Sequence, residues 1–334
     1  MSAAAKLHIM ASSNVQGATE LHLQCPQCRT PVGVLRPDDF LPEFVYSCVN
    51  CCFQMVNDNG IWKALPPTRV LYFARFMLEY QTVREAEGRG SDNPEYYLAL
   101  PYRDLSGHNR EQWAIRSRTY GYLEDNILPQ MEARRACGLD ILDLGAGNGW
   151  LSYRLAMRGH HPIAVDLLDS VLDGLGAAVH FRQKVRRLFP RFQAELDRLP
   201  FSDGQFDLAI FNASFHYSED HAETLGEAIR CLRPGGTVII ADTAWYKRDE
   251  SGRRMLAERQ QAFTRRYGFP SDGLASLEYL TDERLAELEK RFGIRWMKHS
   301  PFYGVRWAMR PVAARLKRKR EPSHFRIYVA EVAK

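Results

Sequence analysis

The chain has 334 residues, 45% hydrophobic and 25% charged, the balance of a globular protein with room for one large domain and a small one. No apolar run reaches about 18 residues, which excludes an integral membrane helix. The formal net charge of +5 is unevenly placed: residues 1–66 hold four Lys/Arg against five Asp/Glu, whereas residues 295–334 hold eleven against two.

The N-terminus, MSAAAKLHIMASSNVQGATE, lacks the long apolar core of a signal peptide. Residues 1–20 therefore read as a disordered lead-in, with the cytoplasm as the expected location. Cys25-Pro-Gln-Cys28 and Cys48-Val-Asn-Cys51 follow, separated by nineteen residues. That is the spacing of a four-cysteine zinc ribbon. Each pair sets two thiolates on one side of a tetrahedral ion, and a closed set of four makes the zinc structural rather than catalytic. A reducing cytoplasm disfavours disulfides. Cys52 adjoins the last ligand and competes with it for the assignment, while Cys137 and Cys231 stand alone and read as apolar side chains. Residues 53–65 (FQMVNDNGIWKAL) read as strand, Asn-Gly turn and strand. Residues 21–66 thus form the ribbon, bounded by Pro66 and Pro67.

Residues 67–136 form a second segment. It is helical in pattern over 68–87 and rich in aromatics and arginines after a loop at 88–94. The stretch Leu139–Arg158, LDILDLGAGNGWLSYRLAMR, then reads as strand, tight turn and helix. Glycines at 145, 147 and 149 remove Cβ atoms where a ligand meets backbone and permit positive φ. The spacing is GxGxG rather than GxGxxG, and Asp143 would repel a pyrophosphate. An acid there suits a cationic ligand, and S-adenosylmethionine (SAM) carries a sulfonium and an ammonium. The stretch resembles the first motif of class I SAM-dependent methyltransferases.

Further motifs agree in order and spacing. His161–Asp166 reads as strand two, with Asp166 at the carboxyl end, where a carboxylate can accept from ribose hydroxyls. Residues 169–188 read as the next helix. Leu199-Pro-Phe-Ser-Asp203 with Phe206-Asp207 resembles the methyltransferase subgroup that includes quinone-biosynthesis enzymes. Strand four runs from Phe206 to Phe211 and leads into Asn212-Ala-Ser-Phe-His-Tyr217. Strand five ends near Asp242. The resemblance covers residues 139–242 and implies an α/β, Rossmann-like sheet in a domain of residues 137–334. It also implies SAM contacts from Asp143, Gly145, Ala146, Gly147, Asp166, Leu167, Glu195, Leu196 and Asn212. Glu195 stands where the family carries an acid for the adenine amino group. The ribbon with NGIWKAL resembles small zinc-ribbon domains fused to, or partnered with, methyltransferases. In such enzymes the preceding helices often cover the cofactor, which makes residues 67–136 a helical cap and Tyr97, Tyr102 and Arg116 candidates for contact with SAM or substrate.

Residues 244–280 fit no core element and read as an insertion. Thr281–Phe292 is an amphipathic helix with Thr281 as N-cap. Strands six and seven fall at 294–300 and 325–332. Between them, residues 301–323 read as a basic hairpin carrying Arg306, Arg310 and Arg318 as candidate substrate contacts. Strand six is parallel to the others, so this connection leaves from the face that holds the ligands, where cations would steer an anion. His216, beside Tyr217, is the candidate general base.

The sequence thus points to SAM-dependent methyl transfer onto a small or lipid-like, anionic acceptor. One alternative is an rRNA methyltransferase, since some ribosomal guanine methyltransferases combine a zinc ribbon with this fold, which makes RNA the competing partner. A second is a SAM-binding regulator or scaffold without activity. Nothing in the sequence sets an oligomeric state.

Overall fold

The computed structural model describes residues 20–36, 44–135 and 137–333. The lead-in therefore lies outside the described residues, apart from Glu20. The ribbon opens with an antiparallel hairpin, β1 (Leu21–Gln24) and β2 (Pro31–Leu35). A second, three-stranded unit follows: β3 (Val45–Ser47), β4 (Gln54–Asp58) and β5 (Ile61–Lys63). Asn59 and Gly60 adopt positive φ between β4 and β5, as an Asn-Gly hairpin turn requires.

Helices α1 (Pro67–Ala86), α2 (Pro94–Ala99), α3 (Arg110–Tyr122) and α4 (Leu128–Glu132) make up the second segment. The large domain continues through β6 (Asp140–Leu144), α5 (Trp150–Met157), β7 (His161–Asp166), β8 (Arg191–Gln193), β9 (Phe206–Asn212), α6 (His221–Cys231) and β10 (Leu232–Ala241). It closes with α7 (Asp249–Tyr267), α8 (Asp282–Phe292), β11 (Met297–His299), α9 (Val305–Ala308), α10 (Arg310–Leu316) and β12 (Ile327–Glu331). The Thr281 side chain accepts from the Arg284 N–H, capping α8.

A single ten-stranded sheet runs β11-β12-β10-β9-β6-β7-β8-β5-β4-β3. Strands β5, β8, β7, β6, β9 and β10 are parallel. β12 runs antiparallel to both β10 and β11, so β11 shares the direction of the central strands. This is the Rossmann-like α/β sheet expected, with one addition. The ribbon's β5 pairs with β8, matching Trp62 to Phe192 and Lys63 to Gln193. The ribbon therefore continues the sheet instead of hanging from it.

Alternate residues of the central strands face opposite layers, both buried. Leu142, Leu144, Ala209 and Phe211 face the layer that holds α6, α8 and the ribbon residues Leu23, Tyr46 and Trp62. Ile141, Leu208 and Ile210 face the layer that holds α2, α3 and α5.

Two expectations are corrected. The segment 169–188 is not an α-helix but a loop followed by a 3₁₀ stretch, Leu175–Gln183. Gly174 lies so close to Ser170 and Leu168 backbone that an added Cβ would come within 2.7 Å of both, a fold-back that an α-helix does not make. The basic hairpin at 301–323 is instead the helix pair α9–α10, with Pro311 in the first turn of α10, where its missing N–H costs nothing.

Candidate functional site

The glycine turn is built by contacts that only glycine permits. Gly145 has φ +76°, and a Cβ there would sit 2.2 Å from the Ser214 Cβ. Gly147 has φ +54°, but a Cβ there would meet nothing within 4 Å, because that position opens into a cleft. The N–H groups of Gly145 and Ala146 both donate to the Val165 carbonyl, at 2.8 and 3.0 Å. The Gly147 N–H donates to Asp166 Oδ2 at 2.8 Å, and Leu168 N–H to Asp166 Oδ1 at 2.8 Å. The turn thereby ties β6 to β7.

The cleft lies at the carboxyl ends of the parallel strands. Asp143, Gly145, Ala146 and Gly147 line it from the turn, Asp166 and Leu167 from the end of β7, Leu196 from beyond β8, and Asn212 from the end of β9. Asp143 is 1% exposed and accepts from Ser152 N–H and Oγ at 3.1 and 2.7 Å. No cation pairs with it among the described residues. Burial pushes its carboxyl up to about 7, the Ser152 bonds oppose that, and the nearby Asp166 charge adds to it. Glu195 lies behind Leu196. Its Oε2 accepts from Arg69 at 2.6 and 2.9 Å, while its Oε1 is buried without a partner.

A second hollow, the chamber, adjoins the cleft and shares part of its lining. Phe76, Tyr80, Arg84, Arg116, Ala213 and Tyr217 line both. Tyr217 thus stands at the seam, and burial holds its phenol protonated. His216 lines the chamber and not the cleft. Its Nδ1 is buried without a partner, and burial lowers its pKa to about 4, against the pull of Glu278. A base so weak is poorly matched to a proton at neutral pH.

Asp242, at the end of β10, is a chamber residue that the sequence did not single out. It has φ +50°, a conformation uncommon outside glycine. Its Oδ1 accepts from Thr119 Oγ1 at 2.6 Å, and its Oδ2 is buried without a partner. Burial raises its pKa, opposed by Thr119 and by Arg116. Arg116 makes no ion pair or hydrogen bond among the described residues and rests on Trp113, 4.8 Å from the ring centroid. Burial, aided by Arg89 and Arg84, lowers its pKa to about 10; it remains a cation at neutral pH. The other chamber cations are engaged: Arg84 with Asp173, Arg89 with Glu87, and Arg259 with Glu278.

Six sequence candidates line neither cavity: Glu195, buried beside Leu196, and five that lie elsewhere. Tyr97 is sealed in packing, stacked on His180 and donating to the Leu172 carbonyl at 2.6 Å. Tyr102 is half exposed, over Arg154 and bonded to Glu124. Arg306 pairs with Glu111 on the surface, Arg310 packs on Trp307 and donates to the Ser323 carbonyl, and Arg318 is exposed. Conversely, Phe76, Tyr80 and Arg84 line both cavities from α1, and their spacing of four residues on a helical pattern was the available signal.

In the ribbon, Cys25 and Cys51 sulfurs stand 3.4 Å apart, as do those of Cys28 and Cys48. All four lie within 4.8 Å of one another. Sulfurs about 2.3 Å from one tetrahedral ion stand about 3.8 Å apart, so the set fits zinc. The residue after each CxxC, Arg29 and Cys52, takes positive φ, and its N–H donates to the first cysteine's carbonyl. Cys52 is exposed and outside the cluster, which removes the ambiguity in the ligand set.

Residues 142–240 match the family model described as "Methyltransferase domain". An uncharacterized methyltransferase of Mycobacterium tuberculosis (strain H37Rv) is 36% identical over 110 residues, 33% of this chain and 41% of that protein. Malonyl-[acyl-carrier protein] O-methyltransferase of Erwinia billingiae is 32% identical over 109 residues, again 33% and 41%. The match thus spans less than half the length of these curated relatives. Among solved structures, a Burkholderia thailandensis 1,6-didemethyltoxoflavin-N1-methyltransferase, with 1,6-didemethyltoxoflavin and S-adenosylhomocysteine bound, aligns over 86% of this chain and 98% of its own, at 16% identity and a TM-score of 0.46. No helix among the described residues is long and apolar enough to cross a membrane. The matched segment, residues 142–240, spans the glycine turn and strands β7 to β9, and over this length the chain is similar to class I SAM-dependent methyltransferases.

Proposed function

We propose that the chain transfers a methyl group from SAM, held in the glycine-turn cleft, to a small or lipid-like anionic acceptor in the adjoining chamber. The observation that carries this reading is the pair of contiguous cavities, with the unpaired Arg116 on their shared wall. The cleft fits SAM on two points: Asp143 has no cation partner among the described residues and the space before Gly147 is free, while Glu195 Oε1, buried next to the lining residue Leu196, lacks a donor. Bound there, SAM would supply an electrophilic methyl on a sulfonium leaving group. Asp143 would face its positive charge, Asp166 its ribose, and Glu195 with the Leu196 N–H its adenine.

Arg116 would hold the acceptor's anionic group, and a guanidinium fork does so in a fixed orientation. Holding the two partners in line is the main source of rate in such a transfer. A carboxylate acceptor, as the name of the Erwinia billingiae relative implies for that protein, needs no base. For a protonated acceptor, Asp242 is a second candidate base beside His216: burial raises its pKa, whereas it lowers that of His216. Zinc, held by Cys25, Cys28, Cys48 and Cys51, would act structurally.

The test is incubation of cell extract with the protein and methyl-labelled SAM, followed by mass spectrometry. An anionic small molecule or lipid should acquire the label, and Arg116→Gln should raise its KM. SAM binding without any labelled product would favour the regulator reading; labelled RNA would favour the rRNA reading.

A further inference from the structure

We propose that the α9–α10 segment is a docking face for an anionic lipid bilayer. Phe302, Val305, Met309, Val312 and Leu316 are all exposed, Phe302 by 70%, Val305 by 72% and Leu316 by 81%. The last four are spaced by four, three and four residues, the spacing of one side of a helix. The inward side is anchored: Trp307 stacks on Phe325 with centroids 5.3 Å apart, Tyr303 is buried, and Arg118 donates to the Tyr303 carbonyl. The apolar row is therefore held outward by packing beneath it.

Cations surround the far end of the row. Arg315, Lys317, Arg318 and Lys319 are exposed and make no ion pair among the described residues. An apolar row bordered by unpaired Lys and Arg is the composition of a helix that lies in the headgroup plane, apolar side down, with cations on anionic headgroups. A nucleic acid would use the cations but would leave Val305, Val312 and Leu316 in water, so lipid is the better match.

The face also bears on the chamber. Phe325, which stacks under Trp307, lines it. Tyr303 hydrogen-bonds Thr119 at 2.9 Å, and Thr119 in turn bonds Asp242. A docked segment would bring the chamber beside the bilayer, and in that respect alone the inference rests on the lipid-like acceptor reading above.

The test is co-sedimentation of the full chain with vesicles of phosphatidylcholine, with and without phosphatidylglycerol. Binding should require phosphatidylglycerol and weaken with salt. Val312→Asp with Leu316→Asp should reduce it about tenfold or more, and each of Lys317→Gln, Arg318→Gln and Lys319→Gln about fivefold. These positions are exposed, so circular dichroism and SAM affinity should stay at wild-type values. Loss of docking and loss of the methyl-transfer reading are thereby separable. Absence of vesicle binding, or equal binding to neutral vesicles, would overturn the proposal. So would apolar variants that bind like wild type while the charge variants lose binding, since that pattern describes a site for RNA or an acidic protein.

Discussion

The two edges of the sheet are finished in opposite ways. At one edge the ribbon adds three strands and buries Trp62 between Tyr46 and Phe192. Gln24 and His22 exchange backbone bonds with Pro200 and Ser202, each at 3.0 Å, and Arg29 pairs with the buried Glu227 at 2.9 Å. At the other edge, β11 and the α9–α10 segment leave in solvent apolar side chains and four cations with no ion pair among the described residues. The ribbon strands are absorbed into the domain, and the basic α9–α10 segment is turned outward. Backbone pairing and buried aromatics make an attachment structural, whereas exposed side chains of mixed character leave a surface for something else to cover.

The comparison can be broken first at the zinc. Structural zinc contributes on the order of 10 kcal/mol in small ribbons, so Cys48→Ser, or chelation, should unfold β1 to β5. A ribbon tethered at a distance could be lost while the cleft was spared. The observed docking predicts otherwise: β5 pairs with β8 only two residues before Glu195, and Arg69, next to the ribbon, holds Glu195. Calorimetry should show SAM affinity falling together with zinc content, and unchanged affinity would mean that the ribbon is only an appendage.

Next in size is Trp62→Ala, which should destabilise the whole domain by about 3–5 kcal/mol, read by denaturant unfolding as one shared transition. Separate transitions for ribbon and sheet would contradict the shared core. At the opposite edge, Val312→Asp with Leu316→Asp should change stability by about 0.5 kcal/mol or less, because no packing is lost there.

A further prediction concerns pH. Burial pushes the Asp143 carboxyl up to about 7, and a cationic ligand favours its ionised form. SAM affinity should therefore be flat above pH 7 and fall below it, approaching tenfold per pH unit, with a proton released on binding near pH 6.5. Asp143→Asn should bind SAM more weakly and abolish that slope.

What the sequence made legible was local. The glycine turn, Asp166 and the CxxC pairs are patterns within a few residues, and the structure places Asp143, Gly147 and Asp166 in one cleft. What it hid was non-local. No sequence pattern pairs Lys63 with Gln193, Arg69 with Glu195 or Arg84 with Asp173, since each depends on register between segments at least 89 residues apart in sequence. The 169–188 helix failed because Gly174 and Gly176 serve a fold-back in which Asp173 turns in toward Asn148 and Arg84. The cation run was visible, but only packing shows that Arg310 is spent on Trp307 while Arg318 is exposed, with no ion pair among the described residues.

The most direct measurement is calorimetric titration of SAM into two glycine variants. Gly147→Val and Gly159→Val both place a side chain at positive φ, with nothing within 4 Å of the new Cβ. Each should lose a similar stability, about 1–2 kcal/mol. Only Gly147 faces the cleft, while Gly159 precedes β7 at the opposite end of the sheet. The prediction is that Gly159→Val binds SAM like the wild type and Gly147→Val does not; equal affinity in the two variants would contradict the placement of the cofactor.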